Sequence, residues 1–103
     1  MNSDDEYIAE LNDDIRLRVR RGATLLDGEH PDWYLKIKIG LLDMGHWQYC
    51  ILGQLYGDYI FGLRSLDIPA GFDYGFAGLG QEIQVLNELW VNEIRERLSK
   101  NVA

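Results

Sequence analysis

A few side chains in this sequence have the chemistry and the spacing of a catalytic or metal-binding group. His46 and Cys50 are four residues apart, so on a helix they would share one face, as a Cys/His nucleophilic pair or half of a metal site requires. Two ligands do not complete a zinc site, and His30 is the only other histidine in the sequence. Free cysteine is among the most frequently buried residue types. We therefore interpret Cys50 as a small buried residue beside glycines, and we expect neither a metal site nor thiol catalysis.

Three carboxylates lie close together in the sequence, at Asp27, Glu29 and Asp32. General acid/base catalysis needs two carboxyl groups held in unlike environments, which a pair from this cluster could supply. The segment is rich in residues that cap helices and form turns, so we interpret the three as solvated caps and turn formers. The Gly-rich stretch GFDYGFAGLG follows no strand and precedes no Lys-Ser/Thr pair, so it does not match a phosphate-binding loop. The sequence thus predicts no catalytic residue, no cofactor and no enzyme.

The charge balance limits the kind of partner. The 103 residues include 17 Asp and Glu against 10 Lys and Arg, a net charge of −7. Contacts to phosphate need clustered Lys and Arg, so we expect no direct binding of DNA or RNA. The one basic cluster is the four arginines between positions 16 and 21, which spread over more than half of a helix circumference. We interpret them as complementing the negative end of a helix dipole.

Compartment and domain number follow from equally simple features. One cysteine excludes an intramolecular disulfide, and the acidic opening MNSDDEYIAE does not resemble a secretory signal. No apolar run approaches the roughly 20 residues of a membrane span. We expect a cytoplasmic protein with no membrane partner, folded as one helical domain over residues 1–103.

An acidic face is predicted on the first helix, formed by Glu6, Glu10, Asp13 and Asp14 together with Asp4 and Asp5. Carboxylates at helical spacing can present themselves to a basic groove in the way that nucleic-acid mimics do. A run of like charge is more often only a solvated helix face. The sequence leaves both interpretations open.

Helical periodicity and capping residues define the first and last elements. Ser3 and Glu6 form a capping-box pattern, and a helix is predicted from about residue 4 to 27, with Gly28 as its C-terminal cap. The last helix is predicted from about 79 to 100, with Glu93–Arg97 and Glu96–Lys100 as i,i+4 pairs on its exposed side. The apolar stripe of the first helix is Tyr7, Ile8, Leu11, Ile15, Val19 and Leu26, and that of the last is Leu79, Ile83, Leu86, Trp90 and Ile94.

The stretch CILGQLYGDYIFGL indicates a helix despite glycines at 53, 57 and 62. Three interior glycines cost about 3 kcal/mol of helix propensity relative to alanine. A continuous or kinked helix from about 46 to 66 is the preferred interpretation, with close approach of a neighbouring backbone or aromatic ring at Gly53 and Gly57 offsetting that cost. The alternative is a break near Gly57, with Asp58 as the N-cap of a second helix.

Two further expectations concern the surroundings of this central helix. One of its stripes consists of Leu52, Leu55, Tyr56, Tyr59, Leu63 and Leu66. The face with Cys50, Gly53, Gly57, Ile60 and Phe61 also lacks charge, so we expect neighbours to enclose the helix on both sides. Its polar residues Gln54, Asp58 and Arg64 are interpreted as internal hydrogen-bond partners for the hydroxyls of Tyr56 and Tyr59, in preference to a polar pocket.

The remaining segments complete an all-α prediction: a compact bundle of three long helices plus one or two short helices. A short helix is predicted from Pro31 to about Lys36, with Trp33 and Leu35 or Ile37 buried, followed by a connector from 39 to 44. Residues 67–80 form an ordered loop whose aromatic side chains Phe72, Tyr74 and Phe76 either pack onto the core or form a contact surface.

The sequence also resembles a known group of proteins. The residues that carry the likeness are RVRRGATLLD (18–27), HPDW (30–33), LLDM (41–44), CILGQLYGDYIFGL (50–63), GFD (71–73) and LNELWVNEI (86–94). Together they resemble a family of small proteins encoded by actinobacteria and their phages, over about residues 18–97. The chain departs from that pattern at Tyr34, at 36–38 and in the MGHW entry to the central helix. The family has no established activity, so the resemblance implies a phage or mobile-element context and no functional residues.

These observations converge on a non-catalytic module that binds a host protein, as an accessory or inhibitory factor. The alternative is an acidic nucleic-acid mimic that inhibits a host defence nuclease, of the anti-CRISPR or anti-restriction type, and a small enzyme is the least favoured class. The candidate partner-binding residues are Glu6, Glu10, Asp13, Asp14, Phe72, Tyr74 and Phe76.

Overall fold

The structure, a computed structural model, describes the backbone of residues 3–100 and the side chains of residues 12–100. Within those residues there is no β-strand, which confirms the all-α prediction. The four α-helices are α1 (Ser3–Glu29), α2 (Ile51–Tyr56), α3 (Tyr59–Leu66) and α4 (Ile83–Lys100), and short 3₁₀ turns cover Trp33–Leu35, Ile39–Leu41, Phe72–Tyr74 and Gly80–Glu82. No helix in this part of the chain is long and apolar enough to cross a membrane.

Helices α1 and α4 pack against each other and supply much of the core. Their stripes bury Ile15, Val19, Ala23 and Leu26 from α1, and Leu86, Trp90 and Ile94 from α4. The predicted stripe residues Tyr7, Ile8 and Leu11, and the side chains of the Ser3–Glu6 capping box, lie outside the described side chains. Helix α1 continues to Glu29, so Gly28 is inside the helix and the predicted cap is wrong.

The predicted long central helix is wrong, because the chain breaks between α2 and α3. Gly57 adopts φ +99°, a backbone conformation that continues no α-helix and that residues with a Cβ rarely adopt. Asp58 then caps α3, its side chain accepting a hydrogen bond from the Phe61 N–H at 2.6 Å. The bundle therefore has two long helices and two short ones.

The three glycines of this region have different roles. A Cβ at Gly53 would overlap the backbone of Trp47 and Gln48, which confirms the expected close approach there. At Gly57 that expectation is wrong, since nothing lies within 4 Å of an added Cβ and the positive φ is the requirement instead. A Cβ at Gly62 would lie 2.7 Å from the Leu52 Cβ, so this glycine lets α3 pack on α2.

The loop from 67 to 80 has one buried and one exposed side. Phe76 is fully buried and stacks on Trp90, with ring centroids 5.4 Å apart. The Trp90 indole N–H donates to the Gly75 carbonyl at 2.7 Å, so the loop backbone is bonded to the core. Tyr74 is half-buried against Phe76, and Phe72 is exposed under the Arg18 guanidinium.

The short segments and the start of α4 differ from prediction in detail. The helix expected over 31–36 is a 3₁₀ turn in which Trp33 is buried and Leu35 is exposed, while Ile37 is buried just beyond it. Helix α4 begins at Ile83, so Leu79 precedes it and is exposed.

Candidate protein-binding surface

Four large apolar side chains are exposed on two segments whose backbones meet, the turn before α2 and the start of α3. Trp47 is 57% exposed, Tyr49 44%, Ile60 54% and Phe61 58%. We call these four residues the Trp47 surface. The backbones of its two parts are joined directly, because the Tyr59 N–H donates to the Trp47 carbonyl at 3.0 Å. Single exposed hydrophobic residues are ordinary on a protein, but a group of aromatic and aliphatic side chains marks an interaction site.

The turn that presents Trp47 is fixed by its own hydrogen bonds. The Asp43 carboxylate accepts from the Gly45 N–H at 2.9 Å, and the His46 carbonyl accepts from the N–H groups of both Tyr49 and Cys50. The imidazole Nδ1 of His46 accepts from the Gln48 N–H at 3.1 Å. The Trp47 backbone is therefore held in place although its indole is exposed.

Aromatic contacts hold the rings of this turn together. His46 stacks on Trp47 with ring centroids 6.0 Å apart and planes 12° apart, and its ring lies 4.6 Å from that of Tyr49. Rings that are already packed lose less side-chain entropy when a partner binds. The arrangement thus suits a contact surface.

An open cavity of about 350 Å³ lies beside the indole. Its lining carries no Lys, Arg, Asp or Glu and consists of Met44, Gly45, His46, Trp47, Cys50, Tyr59, Phe76, Ala77, Gly78, Gly80 and Ile83. This volume is at the lower end of the roughly 300–1,000 Å³ that is usual for ligand pockets.

The side chains of His46 and Cys50 are each bonded to backbone groups of the turn before α2 and of its first residues. The Cys50 thiol donates weakly to the Trp47 carbonyl at 3.7 Å and its sulfur accepts from the Gly53 N–H at 3.3 Å, while His46 Nδ1 is bonded to Gln48. Burial raises the pKa of the Cys50 thiol above its ordinary value of 9.0. The cysteine is buried, as predicted, and it is the N-cap of α2 rather than a residue inside a helix. Among the described residues, no group of three or more His, Cys, Asp or Glu is arranged to hold a metal ion.

A second cavity, of about 430 Å³, is lined by charged groups that bind one another. Arg97 donates to both oxygens of Asp27 at 2.9 Å and to Glu93 at 2.7 Å, and Arg20 donates to Glu93 at 2.6 Å. The hydrogen bond from Arg97 holds the pKa of Asp27 below its ordinary value of 3.8. Asp27 also accepts from the Trp33 indole N–H at 2.9 Å. Asp27 is therefore an ion-pair partner that links α1 to α4, so its interpretation as a solvated cap or turn former is wrong.

This network corrects the predicted position of Glu93. The pair Glu93–Arg97 forms as expected, but Glu93 is 5% exposed and lies between Arg20 and Arg97 instead of on the solvent side. Glu96 and Lys100 do form their pair in solvent, at 3.1 Å.

The candidate acidic face is described only in part. Asp13 and Asp14 are 72% and 68% exposed, and each is paired with an arginine of its own helix, Arg16 at 3.7 Å and Arg18 at 3.3 Å. Glu6 and Glu10 lie outside the described side chains.

The aromatic candidates of the 67–80 loop divide between core and surface. Phe76 is buried in the core and Tyr74 is half-buried. Phe72 remains exposed and carries the Arg18 guanidinium 3.9 Å above its ring. The Arg18 side chain is buried and also bonded to Glu82 at 2.9 Å. It lies in the middle of α1, whose last turn holds no basic residue, so the predicted role of the arginine cluster at the helix dipole is wrong.

The polar residues of the central segment bond to backbone groups rather than to tyrosine hydroxyls. The Gln54 side chain accepts a hydrogen bond from the Lys38 N–H at 2.7 Å and donates one to the Tyr49 carbonyl at 3.0 Å. Asp58 caps α3. The Tyr59 hydroxyl accepts from the Gly71 N–H at 3.1 Å. Arg64 is exposed in the last turn of α3. The predicted tyrosine partners are wrong, but Gln54 is a structural link that holds the turn carrying Tyr49.

The Trp47 surface itself was missed by sequence reasoning. Ile60 and Phe61 were expected to be enclosed, and both are exposed because α3 is a short helix that buries Gly62, Leu63 and Leu66 instead. The signal that could have found them is the Gly57–Asp58 break, since a helix starting at Tyr59 turns Phe61 away from Leu63 and Leu66.

Comparison with models of protein families, with curated proteins and with solved structures finds no match for this chain.

Proposed function

We propose that this chain is a non-catalytic module that binds a host protein through the Trp47 surface, as an accessory or inhibitory protein of a phage or mobile element. The single observation that carries the proposal is the exposure of Trp47, Tyr49, Ile60 and Phe61 on two segments whose backbones are hydrogen-bonded to each other. Tryptophan and tyrosine are enriched at the centres of protein interfaces, where they contribute most of the binding energy.

The free energy of binding would come from apolar surface that a partner removes from water. Large aromatic and aliphatic side chains each gain about 1.5–3 kcal/mol when they pass from exposure to full burial. The four residues are about half exposed in the free protein, so a partner that covers them recovers a substantial part of that energy. The charged cavity offers less, because its guanidinium and carboxylate groups already satisfy one another.

The test is affinity capture from an actinobacterial host lysate with tagged variants, read by quantitative mass spectrometry after nuclease treatment. The wild type should retain one stoichiometric protein, and the double variant Trp47→Ser, Ile60→Ser should retain at least tenfold less of it. Leu17→Ser is the matched control, because Leu17 is an equally exposed apolar residue on α1. Circular dichroism verifies that each variant is folded. Equal capture by the wild type and the double variant would reject the Trp47 surface.

A second candidate function, an acidic nucleic-acid mimic, has one observation in its favour. Residues 1–14 hold six of the seventeen Asp and Glu residues and none of the ten Lys and Arg residues. Binding by such a face should weaken steeply with salt, because exposed charges are screened within about 10 Å at 0.1 M ionic strength.

Replacing Glu10, Asp13 and Asp14 together by Ser separates the two candidates. Loss of capture in this triple variant, with capture retained by Trp47→Ser, Ile60→Ser, would favour the mimic. The reverse result would favour the Trp47 surface.

A further inference from the structure

The cavity beside Trp47 has the form of a socket for one side chain. The residues that line it include Trp47, Tyr59, Phe76 and Ile83, and none of them is Lys, Arg, Asp or Glu. An apolar or aromatic side chain therefore suits it better than a charged one, which would lose its water without gaining a partner.

The segment of the chain that supplies most of the socket carries charged residues of one sign only. Residues 39–63 contain Asp43 and Asp58 and no Lys or Arg. The Asp43 carboxylate is bonded to the N–H of Gly45, which lines the cavity, and Asp58 directly precedes Tyr59, which also lines it. Asp43 is thus bonded to one residue of the lining and Asp58 is the chain neighbour of another.

Glu82, a further acidic residue near the cavity, is already neutralised. Glu82 accepts from the Leu79 N–H at 2.9 Å with one oxygen and from Arg18 at 2.9 Å with the other. Asp43 and Asp58 bond only to backbone N–H groups, so their charges are available to a partner.

On the basis of the proposed function, we infer that the occupant of this cavity is an apolar side chain of a partner segment that carries Lys or Arg on its flanks. The apolar anchor enters the socket beside Trp47 and the basic flanks lie near Asp43 and Asp58. Complementary charge at the rim of an apolar contact adds to the rate of association and to specificity.

A random 12-residue peptide library selected against the full chain provides the probe. The selected peptides should share an aromatic or large aliphatic residue with Lys or Arg within a few positions. Synthetic copies should bind with a Kd that rises at least fivefold between 50 and 300 mM NaCl, and Trp47→Ala should weaken binding at least tenfold. Failure to select any peptide, or selection of acidic or uncharged ones, would overturn the inference.

Conservative variants test the two carboxylates. Asp43→Asn and Asp58→Asn keep a side-chain oxygen for the Gly45 and Phe61 N–H groups while removing the charge. Each should raise the Kd of a selected basic peptide two- to fivefold, whereas Asp13→Asn on α1 should leave it unchanged. Unchanged affinity in both cavity variants would reject the charge argument.

The outcomes also separate this inference from the proposed function. If Trp47→Ser, Ile60→Ser loses its host partner but Asp43→Asn, Asp58→Asn retains it fully, the surface is right and the basic segment is wrong. If sedimentation shows a dimer that Trp47→Ala dissociates, a second copy of this chain is the occupant and the inference is overturned.

Discussion

At the scale of single residues, the charged side chains that look suited to chemistry in the sequence are used to hold helices together. Asp27 bonds at once to Arg97 of α4 and to the Trp33 indole, and Glu93 lies between two arginines. Removing one partner of a buried ion pair strongly destabilises a protein, because the remaining charge is left without a partner. The residues around this cavity therefore stabilise the packing of α1 against α4.

Asp27→Asn provides a test with a defined dependence on pH. The pKa of Asp27 is lowered in the folded protein, chiefly by the hydrogen bond from Arg97, so its ionised form stabilises the fold above the ordinary pKa of 3.8. That contribution is lost as pH falls through the lower pKa of the folded state. We expect the variant to be less stable than wild type by about 0.5–1 kcal/mol at pH 7, since the pair is partly exposed.

Urea unfolding at pH 7 and at pH 3 measures this difference. The gap between wild type and Asp27→Asn should shrink towards zero at the lower pH. Asp13→Asn serves as the control, because Asp13 is well exposed and 3.7 Å from Arg16 of its own helix. A gap that stays constant or grows on acidification would contradict the assigned role of Asp27.

At the scale of elements, the buried faces of the helices were predicted well from the sequence, but the residues at which helices begin and end were predicted poorly. The stripes of α1 and α4 were predicted at Ile15, Val19, Leu86, Trp90 and Ile94, because a 3.6-residue period survives whatever the element packs against. The break between α2 and α3 was given second place, since the conformation of Gly57 is set by how the preceding turn packs. Such tertiary packing is not visible in local periodicity.

Alanine substitutions at two glycines of α1 are expected to change the free energy of unfolding in opposite directions. A Cβ at Gly22 would overlap the Tyr74 carbonyl, whereas nothing lies within 4 Å of a Cβ at Gly28. Both substitutions to alanine gain helix propensity, but Gly22→Ala must also displace the 67–80 loop. We expect Gly22→Ala to lower the free energy of unfolding by about 2 kcal/mol or more, and Gly28→Ala to raise it by about 0.5 kcal/mol.

Chemical denaturation of the two variants beside wild type is sufficient to measure these effects. Increased ANS binding by Gly22→Ala would locate the damage in the packing of the loop onto α1. Two alanine variants of equal stability would show that the loop does not depend on this close approach.

At the scale of the whole molecule, the charged network and the exposed apolar residues belong to different elements. The ion pairs of Arg20, Asp27, Glu93 and Arg97 join α1 to α4, while Trp47, Tyr49, Ile60 and Phe61 are exposed where α2 and α3 meet. The sequence indicated a protein-binding module from its acidity, its aromatic content and a family resemblance. The contact residues predicted from the sequence lie on α1 and the 67–80 loop. The Trp47 surface was not predicted, because it forms only where the central helix breaks.

Site-specific photocrosslinking in cells of the proposed actinobacterial host tests most directly whether the partner binds at the Trp47 surface. A photoreactive phenylalanine analogue replaces Phe61 in one variant and Leu17 in the other, two residues exposed to a similar extent on different helices. The account predicts one discrete, light-dependent crosslinked protein from position 61 and none from position 17. A product from position 17 alone, or no product from either position, would contradict it.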